Sequence, residues 1–213
     1  MTEILNVKNL SFSFGQRPLF ADVSFSLQSG RLIRLTGENG TGKSTMMLLL
    51  AGLRNGYSGT IEFNFLDNLD NRQMTSWMPA DANALDPNLS AMDNLRFWQN
   101  LRGLNTDDGE LRRVLANWGL EGLYKIENLP VDLFSTGMKR RLSIARLELS
   151  QTKLWLLDEP LFGLDDIACR QFRDFLGAHI QSGGSAVVIT HDDRLVSNLN
   201  HDVLHLGRKG EKH

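Results

Sequence analysis

The chain has 213 residues, 41% hydrophobic and 23% charged, with a formal net charge of −2. This length buries one substantial core and suits one domain with an inserted subdomain better than two independent domains. The charge gives no general attraction to nucleic acid or anionic lipid, and the lone Cys169 rules out an internal disulfide and fits a reducing compartment.

The residues after Met1 show no basic stretch followed by an apolar core, so no signal peptide is expected. The first third reads as strands. Leu10, Phe12 and Phe14 alternate with Ser11 and Ser13, Val23, Phe25 and Leu27 alternate with Ser24 and Ser26, and Thr60 to Phe65 alternates again. Gly15, Ser29-Gly30 and Ser58-Gly59 mark turns. Arg31 to Thr36 reads as a further strand and Thr45 to Leu53 as a buried helix. The apolar run Met46 to Leu53 is far short of the ~18 to 20 residues that span a bilayer, so a cytosolic protein is expected.

After Trp77-Met78-Pro79 the period changes. Ser90 with Asp93 resembles a capping box, and Met92, Leu95, Trp98 and Leu101 mark one helical face. A second helix carries Leu111, Val114, Leu115 and Trp118, with Gly119 near its end. Lys139-Arg140-Arg141 and the tail Arg208 to Lys212 read as solvated basic faces. From Lys153 strands return, and the short apolar runs Leu154–Leu157 and Ala186–Thr190 indicate a parallel sheet covered on both faces. The expected fold is an α/β core with a parallel sheet, an N-terminal antiparallel β subdomain and an inserted helical subdomain. We place the core at 1–78 and 134–213 and the helical subdomain at 79–133.

Between the strand ending at Thr36 and the helix beginning at Thr45 lies Gly37-Glu38-Asn39-Gly40-Thr41-Gly42-Lys43-Ser44, a complete G-x-x-x-x-G-K-[ST] phosphate loop. Its glycines let successive backbone N–H groups point at a polyphosphate, at a helix N-terminus that favours anions. Lys43 reaches the β- and γ-phosphates and the Ser44 hydroxyl ligates Mg²⁺. The core is therefore expected to be a P-loop NTPase. Leu154 to Pro160 is a hydrophobic strand ending in two acids. Asp158 is placed to share the Mg²⁺ shell with Ser44, and Glu159 to act as general base toward the water attacking the γ-phosphate. His191, after the last apolar strand, joins Glu159 and Lys43 as a candidate catalytic residue.

The order of these motifs resembles the ATP-binding cassette (ABC) ATPases over nearly the whole chain. Phe134 to Arg146 looks like that family's signature sequence followed by its helix. The resemblance implies that Ser135 and Gly137 contact the γ-phosphate of ATP held by a second subunit, with Thr136 between them in the same nucleotide-binding segment. A hydroxyl at a helix start suits that role. By the same resemblance Phe14 stacks on adenine, Asp165 faces the partner subunit, and Thr45 belongs to the nucleotide site. The implied partners are a membrane-spanning transporter subunit and an ATP-dependent head-to-tail dimer, formed with itself or a related subunit. The implied location is cytoplasmic, peripheral on the inner face of the cell membrane.

The chain departs from the family pattern at Thr136, Met138 and Phe162, and above all at Ala80, where a glutamine is expected that touches Mg²⁺. Arg17 to Phe20, Leu89 to Phe97, Arg140 to Leu147 and Leu154 to Pro160 are similar to the ATP-binding subunit of the cytochrome c maturation haem exporter. A transporter ATPase is the leading expectation. A non-transport ABC ATPase, for example in Fe–S assembly, and a slow regulatory ATP-binding subunit stand as alternatives.

Overall fold

The computed structural model describes residues 2–65, 74–81, 84–121 and 129–207. Strand β1 (Glu3–Phe14) pairs antiparallel with β2 (Arg17–Gln28), setting Phe12 against Phe20 and Phe14 against Arg17. The chain then forms β3 (Leu32–Thr36) and α1 (Lys43–Leu50) before β4 (Ser58–Phe63) pairs antiparallel with the other edge of β1. A second sheet takes the order β5-β6-β7-β3-β8, with β5 at Thr75–Met78, β6 at Leu154–Asp158, β7 at Ser185–Ile189 and β8 at His201–His205. The β6–β7, β7–β3 and β3–β8 pairings are parallel. Every residue of β6 and β7 is buried, as their continuous apolar runs require.

Burial holds α1 in place. Its Met46, Met47, Leu49 and Leu50 share one core with Leu10, Phe12, Phe20 and Leu27 of the antiparallel sheet and Leu154, Leu156, Val187 and Ile189 of the parallel sheet. Each such side chain contributes roughly 1.5–3 kcal/mol on burial, so this short helix is stable without a capping side chain at Gly42. It stops where Leu53 N–H donates to Leu48 O at 2.9 Å and Gly52 N–H to Leu49 O at 3.0 Å.

The chain divides into two compact units: Met1–Trp77 with Thr152–Glu159 and Phe175–His213, and Met78–Gln151 with Pro160–Asp174. The first holds α1 and all but the last residue of β5 among the sheet strands. The second holds α2 (Ala91–Leu101), α3 (Asp108–Asn117), α4 (Thr136–Leu149) and the start of α5 (Asp166–Gln181). The Ser90 cap forms as expected: Asp93 N–H donates to Ser90 Oγ at 3.1 Å, and Ser90 Oγ donates to Asp93 Oδ2 at 2.7 Å. Asn94, fully buried, secures the approach to α2 by donating to the carbonyls of Asp86 and Ser90, each at 3.0 Å. At the end of α3, Gly119 N–H donates to Ala116 O and Leu120 N–H to Leu115 O, both at 2.9 Å. The expected apolar face of α2 is shorter than its spacing implies. Met92 and Leu95 are buried, but Leu101, at the helix end, is 64% exposed. The basic tail Arg208 to Lys212 lies outside the described residues. No helix among the described residues is long and apolar enough to cross a membrane.

Candidate nucleotide-binding site

Strand β3 runs directly into the glycine-rich loop, and Leu206 N–H donates to Thr36 O at 2.8 Å to hold the strand's end. Gly37 has φ 144°, and a Cβ there would lie 2.4 Å from the Leu206 carbonyl oxygen. Gly42 has φ 102°, and its Cβ would lie 2.6 Å from Leu19 Cδ2. An L side chain fits neither place. The loop is also fastened from within. Thr41 Oγ1 donates to Glu38 O at 2.9 Å, and Lys43 Nζ donates to Gly37 O at 2.7 Å and Glu38 O at 3.0 Å. Lys43 is 9% exposed, so its ammonium sits under the loop at the start of α1. Glu38, Asn39, Gly40 and Ser44 are exposed, and Thr45 is half-buried.

Ser44 Oγ donates to Asp158 Oδ2 at 2.7 Å, joining the loop to the buried end of β6. A hydroxyl and a buried carboxylate, both oxygen donors, suit a hard divalent cation such as Mg²⁺. Glu159 follows with φ 45°, a left-handed conformation uncommon for a residue with a Cβ, and its N–H donates to Ile189 O at 2.9 Å. Glu159 Oε1 is buried and accepts no hydrogen bond from any described residue. His191 Nε2 lies 3.6 Å from Oε1, and His191 N–H donates to Glu159 Oε2 at 3.4 Å.

Arg34 anchors the segment that carries His191. It donates to Thr190 O at 3.1 Å and pairs with Asp193 at 2.7 Å. Sequence reasoning missed it, although a cation inside the apolar run Leu32-Ile33-Arg34-Leu35 was the available signal. Phe14, at the end of β1, is 48% exposed. Its ring meets Phe12 edge-on at 5.1 Å, and the Arg54 guanidinium carbon lies 5.0 Å from its centroid.

Within the second unit, Ser135 caps α4, accepting from Met138 N–H at 3.2 Å, and Ser135 and Thr136 are exposed. A Cβ on Gly137 would lie 2.8 Å from the Gly163 carbonyl oxygen, so these two stretches meet backbone to backbone. Asp165 caps α5 by accepting from Ala168 N–H at 2.8 Å and pairs with Arg141. The Ala168 N–H, aided by Arg141, holds its carboxyl below the usual range.

The basic run Lys139–Arg141 is not a solvated face. Arg140 is 1% exposed and donates to the carbonyls of Pro79 at 3.0 Å, Ala80, and Phe162 at 3.3 Å. Lys139 donates to Asp132 O at 3.1 Å. Consecutive helical residues point about 100° apart, so three adjacent cations cannot all face water when one side of the helix is packed. Ala80 itself is half-buried and Asp81 exposed.

Residues 20–162 match the ABC transporter family. The chain is 35% identical over 193 residues to the cytochrome c biogenesis ATP-binding export protein CcmA of Cupriavidus pinatubonensis, covering 88% of this chain and 83% of that protein. It is 32% identical over 207 residues to the protein of the same name from Vibrio cholerae, covering 96% and 99% of the two. A solved ATP-binding subunit of an ABC transporter superposes with a TM-score of 0.82 at 26% identity, over 95% of this chain and 85% of that one. The chain belongs to the ABC transporter family, as one of its ATP-binding, ATP-hydrolysing subunits.

Proposed function

We propose that this subunit powers a membrane exporter of the cytochrome c biogenesis type, the role named for its CcmA relatives. The observation that supports the ATPase chemistry is that one unit carries Lys43 and Ser44 at the start of α1, Asp158 at the end of β6, and Glu159 and His191 just beyond β6 and β7, with Ser44 bonded to Asp158 and His191 beside Glu159. Lys43 exchanges the Gly37 and Glu38 carbonyls for β- and γ-phosphate oxygens, and the loop N–H groups cradle the rest. Ser44 and Asp158 hold Mg²⁺, which neutralises phosphate charge when bound. Glu159 Oε1 accepts a proton from the attacking water, with His191 beside it to orient both. Phe14 offers its exposed ring to adenine.

Two copies pair head-to-tail, so that Ser135, Thr136 and Gly137 at the start of α4 meet the γ-phosphate held by the opposite chain. A membrane-spanning subunit receives the motion and keeps this chain on the cytoplasmic face. Ala80 favours a second reading, a slow or regulatory ATP-binding subunit, since no side-chain amide is available there.

The test is Lys43→Ala. We expect turnover to be abolished and ATP binding weakened by roughly tenfold or more, because one ammonium offsets concentrated phosphate charge. Isothermal titration and a phosphate-release assay read the two effects. Unchanged ATP affinity overturns the assignment.

A further inference from the structure

We infer that Arg140 is a positioning residue for ATP hydrolysis, clamping the Pro79-Ala80 and Phe162 backbones to the helix that begins at Ser135. The inference rests on the ATPase role proposed above. Arg140 lies on α4, three residues beyond Gly137, and is among the largest fully buried side chains. Its Nε donates to Phe162 O at 3.3 Å, one terminal nitrogen to Pro79 O at 3.0 Å and the other to Ala80 O. One planar guanidinium thus holds two stretches of chain that are about eighty residues apart in sequence.

Those two stretches have a particular place along the chain. The chain passes from the first unit to the second after Trp77 and again after Glu159. Pro79 stands two residues beyond the first passage and Phe162 three beyond the second. Arg140 therefore grips both connections close to where they leave the unit that carries the phosphate loop and the general base. Two further contacts reinforce the second grip: the close approach of Gly137 to the Gly163 carbonyl, and the pairing of Arg141 with Asp165. The start of α4, the turn at Ala80 and the segment after Glu159 are bound into one body.

The missing glutamine gives this clamp its importance. Alanine offers no polar side chain at position 80, so its placement relies on the backbone, and Arg140 takes that carbonyl. Lysine could not replace the clamp fully, because an ammonium is a compact donor without the guanidinium's fork. The phosphate loop is closed by its own Thr41 and Lys43, so nucleotide binding and turnover separate on removal of Arg140.

The experiment uses the full-length chain and compares wild type with Arg140→Met and Arg140→Lys. Mg-ATP affinity is read by titration, and kcat and KM by phosphate release. For Arg140→Met we expect kcat to fall about tenfold or more while the ATP dissociation constant stays within about twofold of wild type. Arg140→Lys recovers part of the lost kcat. Equal kcat in wild type and Arg140→Met overturns the proposal, and so does a parallel loss of affinity and kcat, which marks a merely structural residue. If Arg140→Met does not fold, Arg140→Lys decides: reduced kcat at preserved affinity supports the clamp, and wild-type kcat overturns it. A wild-type chain that binds no ATP would overturn the underlying ATPase reading. Wild-type turnover with an equally active Arg140→Met overturns this proposal alone.

Discussion

In the phosphate loop, the lysine and threonine that close it lie within six residues of the carbonyls they hold. At Pro79-Ala80 the corresponding fastening comes from Arg140, sixty residues further along the chain. Both stretches are short turns leaving a strand. The loop keeps its shape because its own glycines and lysine are built for it. The turn keeps its shape because a buried cation from a distant helix holds it. A motif of the first kind is complete in a contiguous stretch, whereas one of the second kind can lose its signature residue and still be positioned.

Glu159→Gln puts the greatest stress on this comparison, because it removes the proposed general base from the self-contained side without touching the clamp. We expect turnover to fall by about a hundredfold or more, with Mg²⁺ ligation by Asp158 intact. ATP and Mg²⁺ then trap the head-to-tail dimer, visible as a doubled mass in light scattering. A persistent monomer breaks the proposed pairing of Ser135 and Gly137 with the opposite nucleotide.

Ala80→Gln addresses the other side. It restores an amide to a turn whose backbone is already held by Arg140. Single positioned donors are typically worth on the order of a hundredfold in turnover, so we expect a gain of roughly tenfold, measured with and without a membrane partner. Unchanged rates in both conditions would mean that position 80 does not limit hydrolysis and that its alignment with the family's glutamine is wrong.

The smallest effect tests whether the first unit, for all its local motifs, also depends on long-range packing. His179 of α5 stacks on Trp155 of β6 with ring centroids 3.6 Å apart, and burial pushes its pKa down to about 4. The ring is neutral in the folded chain but protonates near its ordinary 6.5 once unfolded. Unfolding therefore takes up a proton at intermediate pH, and stability falls as pH drops from about 6.5 to about 4. The slope contributed by this one group approaches ~1.4 kcal/mol per pH unit. Urea titrations at pH 7 and pH 5 should show the loss, and His179→Gln should flatten it. An unchanged slope in the variant would place the pH sensitivity elsewhere.

Legibility followed the same divide. The strands around Leu10 and Phe12, around Val23 and Leu27, and at Leu154 and Ala186 were readable because period-2 alternation and short apolar runs report burial directly. The Ser90 cap and the glycine ending α3 were readable because caps are local hydrogen bonds. Leu101 and Lys139–Arg141 were not. Helical spacing says which residues share a face, but what covers that face is decided by neighbours far away in the chain. Leu101 sits on the right stripe, one turn past the point where packing stops. Arg140 sits in a run of cations, on the side that turns inward.

By itself, the sequence pointed to an ATP-binding subunit and to the residues proposed for its nucleotide chemistry. The Gly37–Ser44 spacing, the acids ending β6 and the histidine after β7 are each legible in a few contiguous residues, because local residue order sets the backbone conformation and side-chain reach at each place. Only the tertiary structure decided how those groups are supported: that Ser44 bonds Asp158 at 2.7 Å, that Arg34 holds the His191 segment, and that Arg140 ties both connections to α4. Each of these joins residues between twenty-two and one hundred and fifty-six positions apart. Such contacts form only after the sheets and helices have packed, because burial is what makes an internal hydrogen bond to a cation or carboxylate worth forming over one to water.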